Sequence, residues 1–215
     1  MTNPGVTVID YGASNLRSVL RSLDHCGIPA KLATTPAEIL DADRIILPGV
    51  GAFVDGMEGL RTRGLIEPIV RFAASDRPLL GICLGMQLLL DASDEFGYSE
   101  GLGIVPGKVV AIPSNSLPGS QRKIPHIGWN ELQSPGGSDW AGTILAEVAP
   151  NSSVYFVHSF MALPSDPACR LADCNYGGCV VAAVLKAGNT FGCQFHPEKS
   201  GEVGLSILRS FSRLG

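Results

Sequence analysis

The chain has 215 residues, 45% of them hydrophobic and 17% charged, which is sufficient for one sizeable buried core. Its formal net charge of −4 argues against a general nucleic-acid surface, and no apolar run reaches the roughly 20 residues that a membrane span needs. The sequence shows no secretory signal pattern, and the spacing of its six cysteines is not that of a zinc site. We therefore expect reduced thiols in a cytoplasmic protein that holds no metal.

Strands and helices alternate through the first half of the chain. An apolar strand over 6–10 enters a glycine turn, and Ser14 can cap a helix that runs to about Cys26 and ends at Gly27. Thr35 to Glu38 have the pattern of a capping box. The other predicted elements here are strands at 30–33, 44–47 and 78–80 and helices near 53–61 and 65–75, with the run 88–90 continuing as a helix after an intervening turn.

The second half is rich in short strands and poor in helices. The strands are predicted near 104–112, 127–132, 153–158, 169–174, 179–186 and 190–195, and a final helix near 201–213. This order predicts a single α/β domain over 1–215, with a largely parallel central sheet, helices on both faces and antiparallel additions.

The segment from Gly81 to Gln87 lies between a predicted strand and a predicted helix. Gly-Ile-Cys-Leu-Gly has the pattern of a nucleophile elbow with sulfur in place of oxygen. Such a turn places Cys83 at a helix N-terminus, where backbone N–H groups favour the anionic sulfur that attacks carbonyl carbons. An isolated cysteine would be interpreted as a buried core residue, but the two glycines and Gln87 favour a nucleophile.

A nucleophilic cysteine needs a base, and the base needs a group that fixes its tautomer. The predicted strand near 190–195 ends in His196-Pro197-Glu198. His196 is therefore the predicted base and Glu198 its orienting acid. A lone histidine at a strand end is more often structural, and its pairing with the elbow favours catalysis.

Together these motifs resemble those of the triad, or class I, glutamine amidotransferases, and in detail those of the glutaminase subunits of imidazole glycerol phosphate synthase. The resemblance covers essentially the whole chain. The further segments that carry it are 10–18, 48–53, 125–130 and 155–159. It implies a Cys-His-Glu enzyme that hydrolyses glutamine, needs no cofactor and passes ammonia to a partner enzyme of histidine biosynthesis.

An amide-hydrolysing site also needs donors for the oxyanion. The N–H of Leu84 is one candidate, and the flexible segment Gly49-Val50-Gly51 is another; an ordinary loop would use the same residues, and the resemblance favours the oxyanion role. The resemblance also implies glutamine contacts for a second group of residues. These are Gly49, Gln87, Glu95, His158, Ser159 and Phe160. Related proteins often have tyrosine where this chain has Phe160, so only a backbone contact would survive there.

The resemblance implies a heterodimer with a (β/α)₈-barrel synthase subunit. The expected docking residues are Asp10, Asn15, Trp129 and Asn130. A bound nucleotide at the first strand is disfavoured, because the chain has no phosphate-binding glycine loop. Trp129 could equally be a core residue, and Ser14 replaces a glycine that related proteins often have.

Three other functions fit parts of the pattern. The nearest is a paralogous glutaminase that supplies an amino-sugar ligase in surface-polysaccharide synthesis, for which Tyr176-Gly177-Gly178 is weak support. A cysteine peptidase would cleave peptides and ignore free glutamine. An inactive binding subunit would not need Cys83, His196 and Glu198 together.

Overall fold

The computed structural model describes residues 5–12, 15–114, 122–137 and 139–215. The helices are α1 (Leu16–His25), α2 (Pro36–Leu40), α3 (Phe53–Thr62), α4 (Ile66–Ala74), α5 (Leu84–Leu88) and α6 (Gly201–Ser212). The strands are β1 (Val6–Ile9), β2 (Ala30–Ala33), β3 (Ile45–Gly49), β4 (Leu79–Cys83), β5 (Leu90–Ser93), β6 (Ser99–Glu100), β7 (Val105–Ala111), β8 (His126–Glu131), β9 (Ser153–His158), β10 (Phe160–Pro164), β11 (Arg170–Tyr176), β12 (Cys179–Ala187) and β13 (Thr190–Cys193).

A seven-stranded sheet with the order β11-β12-β13-β4-β3-β1-β2 forms the centre of the fold. Its strands from β13 to β2 are parallel, whereas β12 and β11 continue the sheet in antiparallel pairs. The remaining strands form a separate four-stranded sheet and the β8–β9 pair. The predicted α/β class is confirmed, and only part of the antiparallel structure extends the central sheet.

The inner strands β1, β3, β4 and β13 are buried along their whole length, which explains their nearly continuous apolar runs. In β3, Ile46 packs with residues of α1 and α6 in one cluster. Its neighbours Ile45 and Leu47 pack with residues of α3 and α4 in another cluster on the opposite face. Successive side chains of a strand point to opposite faces, so β3 contributes to both clusters.

The strand register brings the predicted site residues to one edge of the sheet. Gly49 at the end of β3 is paired with Cys83 at the end of β4, and Cys193 at the end of β13 is paired with Ile82. His196 follows β13 by three residues. The carboxyl ends of these parallel strands form the edge at which open α/β sheets bind ligands.

The predicted helical continuation over 88–90 is correct at Leu88 but wrong at Leu89 and Leu90, because α5 ends at Leu88 and β5 begins at Leu90. The carbonyl groups of Leu88, Leu89 and Leu90 accept hydrogen bonds from the backbone of residues 102–105 and not from a next helical turn. A short run of leucines suits a buried strand as well as a helix, so the tertiary pairing decides. The strands β6 and β10 also had no counterpart in the prediction.

The start of α1 lies next to a segment outside the described residues. Ser14, the predicted cap, belongs to that segment, and α1 begins at Leu16 with Asn15 in the capping position. Asn15 has a left-handed backbone, with φ of 78°, and its side chain makes no capping hydrogen bond. The predicted end is confirmed, since Cys26 closes the helix and Gly27 follows with φ of 66°. Within the described residues, none of the helices is both long and apolar enough to span a membrane.

Candidate active site

Cys83 occupies a strained turn between β4 and α5. Its φ of 53° and ψ of −108° are rare for a residue with a side chain. The flanking glycines make this turn sterically feasible: a Cβ on Gly85 would lie 1.8 Å from the Leu47 carbonyl oxygen, and one on Gly81 would lie 2.7 Å from that of Gly85. The predicted elbow is therefore formed, and Cys83 is 7% exposed at its tip.

His196 and Glu198 lie in the turn after β13, and both side chains are buried. Nδ1 of His196 lies 2.6 Å from Oε1 of Glu198, which fixes the ring orientation. Nε2 is buried and makes no hydrogen bond of normal geometry to a described residue, although its ring interacts with the Cys83 sulfur. Burial lowers the pKa of His196, but the hydrogen-bonding and charge interactions with Cys83 and Glu198 outweigh it and raise the pKa to about 9.

Two further side chains hold this turn in place. The Ser200 hydroxyl donates to the His196 carbonyl at 2.7 Å and accepts from the Tyr155 N–H at 3.0 Å. The Asn15 side-chain amide donates to Oε1 of Glu198 at 2.6 Å. Asn15 was expected to be a docking residue alone; the structure also places it against the orienting acid, across 183 positions of sequence.

A cavity of about 350 Å³ lies above the elbow. Its lining includes Cys83, His196 and all the predicted oxyanion and substrate residues except Gly49. Gly49 lies at the end of β3, directly before the lining residue Val50. The lining residues are Val50, Gly51, Cys83, Leu84, Gln87, Glu95, Phe96, Val157, His158, Ser159, Phe160 and His196. A second cavity, of about 290 Å³, lies at the opposite ends of β1 and β2 and has none of these residues in its lining.

Comparisons with known proteins agree with this geometry. The sequence profile of the family "Glutamine amidotransferase class-I" matches residues 7–213. The chain belongs to this family. It is 57% identical to "Imidazole glycerol phosphate synthase subunit HisH 1" of Legionella pneumophila strain Lens, over 97% of this chain and 99% of that protein. The family expectation from the sequence is therefore confirmed.

Two other comparisons add to this class I glutamine amidotransferase assignment. The chain is 47% identical to "Imidazole glycerol phosphate synthase hisHF, chloroplastic" of Arabidopsis thaliana, over 96% of this chain but only 33% of that longer protein. A crystal structure described as a glutamine amidotransferase superposes with a TM-score of 0.71 at 17% identity, covering 96% of this chain and 97% of the other, which supports the fold.

In this amidotransferase the side chain of Gln87 is already engaged. Its amide nitrogen donates to the Phe160 carbonyl and to Oε1 of Gln194, both at 3.0 Å. Gln194 is fully buried, and its own amide nitrogen lies 3.9 Å from the Cys83 sulfur. Gln87 therefore has only its oxygen free for a substrate, and Gln194 is a site residue that sequence reasoning missed.

Glu95 also has a structural contact. Its carboxylate accepts the N–H of Phe53 at 2.7 Å, at the first turn of α3, where the helix dipole favours an anion. It still lines the cavity, beside Phe96, whose side chain is 86% exposed. No pattern in the sequence marks Phe96 as a pocket residue, since a single aromatic residue in a loop has many roles.

His158 is a wall of the cavity. Its Nδ1 bonds to the Phe160 carbonyl at 2.8 Å and its Nε2 lies 2.9 Å from Nδ1 of the buried His126. Burial lowers the pKa of His158 to about 4, so the ring is neutral at pH 7. With both ring nitrogens engaged, His158 has no free nitrogen to act as a second base.

The predicted docking residues fall into two groups. Asp10 and Asn15 lie at the carboxyl end of β1, where Asp10 accepts the Gly12 N–H. Trp129 and Asn130 lie on β8. Trp129 is 59% exposed and meets Tyr155 edge to face, so it is not a core residue. Asn130 donates to the Asn175 carbonyl.

The elbow also allows a stability test. We expect Gly85→Ala to lower the free energy of unfolding by about 3 kcal/mol, because its Cβ would overlap the β3 backbone. Gly5→Ala is the control, because a Cβ there meets its nearest atom at an ordinary 3.5 Å. The free energies of unfolding of the two variants are measured by urea denaturation. Equal values would contradict the steric role of Gly85.

Proposed function

We propose that this class I glutamine amidotransferase hydrolyses glutamine to glutamate and ammonia through a thioester on Cys83. The observation that carries the proposal is the convergence of Cys83 and His196 at one cavity, with the buried Glu198 bonded to His196. His196, held by Glu198 through Nδ1, takes the thiol proton with Nε2 and returns it to the departing ammonia. A water molecule activated by the same ring then attacks the thioester and releases glutamate.

The glutamine side chain occupies the cavity above the elbow in this proposal. The N–H of Leu84 at the start of α5 and a peptide N–H from Val50 or Gly51 stabilise the oxyanion. Position 49 requires a glycine, because a Cβ there would lie 2.4 Å from the Tyr11 hydroxyl. The α-ammonium and α-carboxylate groups are bound by Gln87, Glu95 and Ser159 and by the backbone of His158 and Phe160, all of which line the cavity.

We further propose that residues 1–215 act as one cytoplasmic domain that docks on a (β/α)₈-barrel synthase subunit of the histidine pathway. The Legionella relative is by name a synthase subunit, and the Arabidopsis relative is about three times as long as the matched region. Asp10, Asn15, Trp129 and Asn130 form the docking edge. The ammonia passes to this partner, and neither a metal nor an organic cofactor takes part.

The relatives favour this assignment over the amino-sugar paralogue, since the Legionella and Arabidopsis proteins are both named as imidazole glycerol phosphate synthase proteins. The Tyr176-Gly177-Gly178 segment lies at the β11–β12 turn, where Gly177 and Gly178 both have positive φ. Turn geometry explains those glycines without a second pathway. Co-purification of the native partner separates the two functions.

We expect the isolated chain to be a poor glutaminase. The synthase partner should accelerate glutamate release by about 10²–10³-fold, which is the rate effect of one oxyanion donor. Tyr11 anchors the Pro48 carbonyl at 2.8 Å, whereas Gly51, with φ of 105°, has no atom within 4 Å of its Cβ position. The backbone peptide groups between Pro48 and Gly51 can therefore reorient. Glutamate release is measured for the chain alone, with partner, and with partner plus ammonia acceptor.

Gly51→Ala is expected to reduce that acceleration without weakening partner binding, because alanine disfavours the φ that the loop adopts. Gly64→Ala is the matched control, since Gly64 also has positive φ, of 66°, and open space around it, but lies outside the cavity lining. Similar turnover in all three mixtures would contradict the proposal of partner control.

A further inference from the structure

Gln194 is a fully buried polar side chain that the triad mechanism does not use. It follows β13 directly, and its backbone N–H donates to the Ala183 carbonyl at 2.9 Å, so its position is fixed by the sheet. A buried amide needs partners for both of its ends. Its oxygen accepts from Gln87, and its nitrogen lies 3.9 Å from the sulfur of Cys83.

The direction of this chain of hydrogen bonds is set at its far end. The Phe160 carbonyl can only accept, and it receives both the amide nitrogen of Gln87 and Nδ1–H of His158. The amide of Gln87 must therefore present its nitrogen to Phe160, and its second N–H reaches the oxygen of Gln194. A flip of either amide would set two donors or two acceptors against each other, so the Gln194 nitrogen faces the sulfur.

We propose that Gln194 donates an N–H···S hydrogen bond that stabilises the anionic sulfur of Cys83 before it attacks, with Gln87 as the residue that positions Gln194. The proposal rests on the proposed function, in which Cys83 is the nucleophile. A hydrogen bond to an anion is roughly twice as strong as one to a neutral group, so the amide favours the charged sulfur over the thiol. The protonated sulfur gains little from the same contact.

The test is the pH profile of Cys83 alkylation by iodoacetamide, followed by mass spectrometry of the peptide that carries Cys83. Gln194→Met keeps the approximate size and removes the donor. In Gln194→Met we expect the midpoint of the alkylation profile to move up by about one pH unit. Alkylation on the acidic side then becomes roughly tenfold slower, while the plateau at high pH stays the same. Gln194→Glu places an acceptor at the sulfur and should move the midpoint further.

The other titratable groups around the sulfur stay unchanged in both variants. They are Tyr11, Glu95, His158, His196 and, through His196, Glu198. Gln133→Met is the control, because Gln133 is exposed and lies outside the cavity lining. A role in packing alone would change the melting temperature or the plateau but leave the midpoint where it is, and unchanged midpoints in both Gln194 variants would overturn the proposal.

A second measurement does not depend on how the variants fold. In ¹⁵N-labelled wild-type protein, the side-chain amide signal of Gln194 should shift as Cys83 titrates, and this shift should be missing in Cys83→Ala. An amide signal that does not respond to Cys83 would also overturn the proposal. The glutaminase assignment itself is tested separately, by glutamate release in the complex, so the two failures are distinguishable.

Discussion

Cys83→Ala is expected to reduce glutamate release in the partner complex by about 10⁴–10⁶-fold, to background, because it removes the only sulfur at the tip of the elbow. Cys83→Ser should be comparably inactive, since a serine hydroxyl is a far weaker nucleophile without a matched base. Both variants should fold, because the turn depends on Gly81 and Gly85. Single-turnover mass spectrometry should detect the glutamyl thioester in wild type alone.

Cys193→Ala is the control for this experiment. Cys193 lies in β13 at 0% exposure, and burial raises the pKa of its thiol far above the usual range, so it is not a nucleophile. We expect nearly full activity and a loss of stability on the order of 1 kcal/mol. An active Cys83→Ala beside an inactive Cys193→Ala would reverse the assignment.

His196→Asn is expected to slow thioester formation nearly as much as the loss of Cys83, whereas Glu198→Gln should react about 10–100-fold faster than His196→Asn. The geometry explains the difference. The side-chain oxygen of a glutamine at 198 can still accept from both His196 and Asn15, so the ring keeps its orientation and loses only the nearby charge. Rapid-quench measurement of thioester formation ranks the variants.

Glu198→Ala serves as the matched comparison, because it removes the acceptor as well as the charge and leaves His196 and Asn15 without their shared partner. It should therefore be slower than Glu198→Gln. A Glu198→Gln variant slower than His196→Asn would refute the proposed order of contributions.

The features that the sequence predicted best are those with a local cause. The elbow needs glycines at 81 and 85 because of contacts with the neighbouring backbone, and the capping box at Thr35 and Glu38 forms as its spacing indicates. The His-Pro-Glu turn is also a short-range unit. Such patterns predict structure because the residues that determine the geometry lie within a few positions of one another.

The features that the sequence did not predict depend on distant partners. The helix ends at Leu88, and Leu89 and Leu90 become a turn and a strand, because the backbone of residues 102–105 bonds to the carbonyl groups of this run. Asn15 meets Glu198, and Gln194 meets Cys83 and Gln87, only after strands far apart in sequence have paired. An asparagine or glutamine has no local signal for such a contact, since the same residue is ordinary on a protein surface.

The central position of β4 has a consequence for protein synthesis. The predicted nucleophile Cys83 ends β4, but the predicted base His196 and its acid Glu198 follow β13, which pairs directly with β4. A nascent chain that has emerged only as far as β12 carries the sulfur without the base or Glu198. Because β13 must insert between β12 and β4, the predicted catalytic groups meet only when β13 has joined the sheet, and a nascent chain that stops before His196 lacks a complete triad.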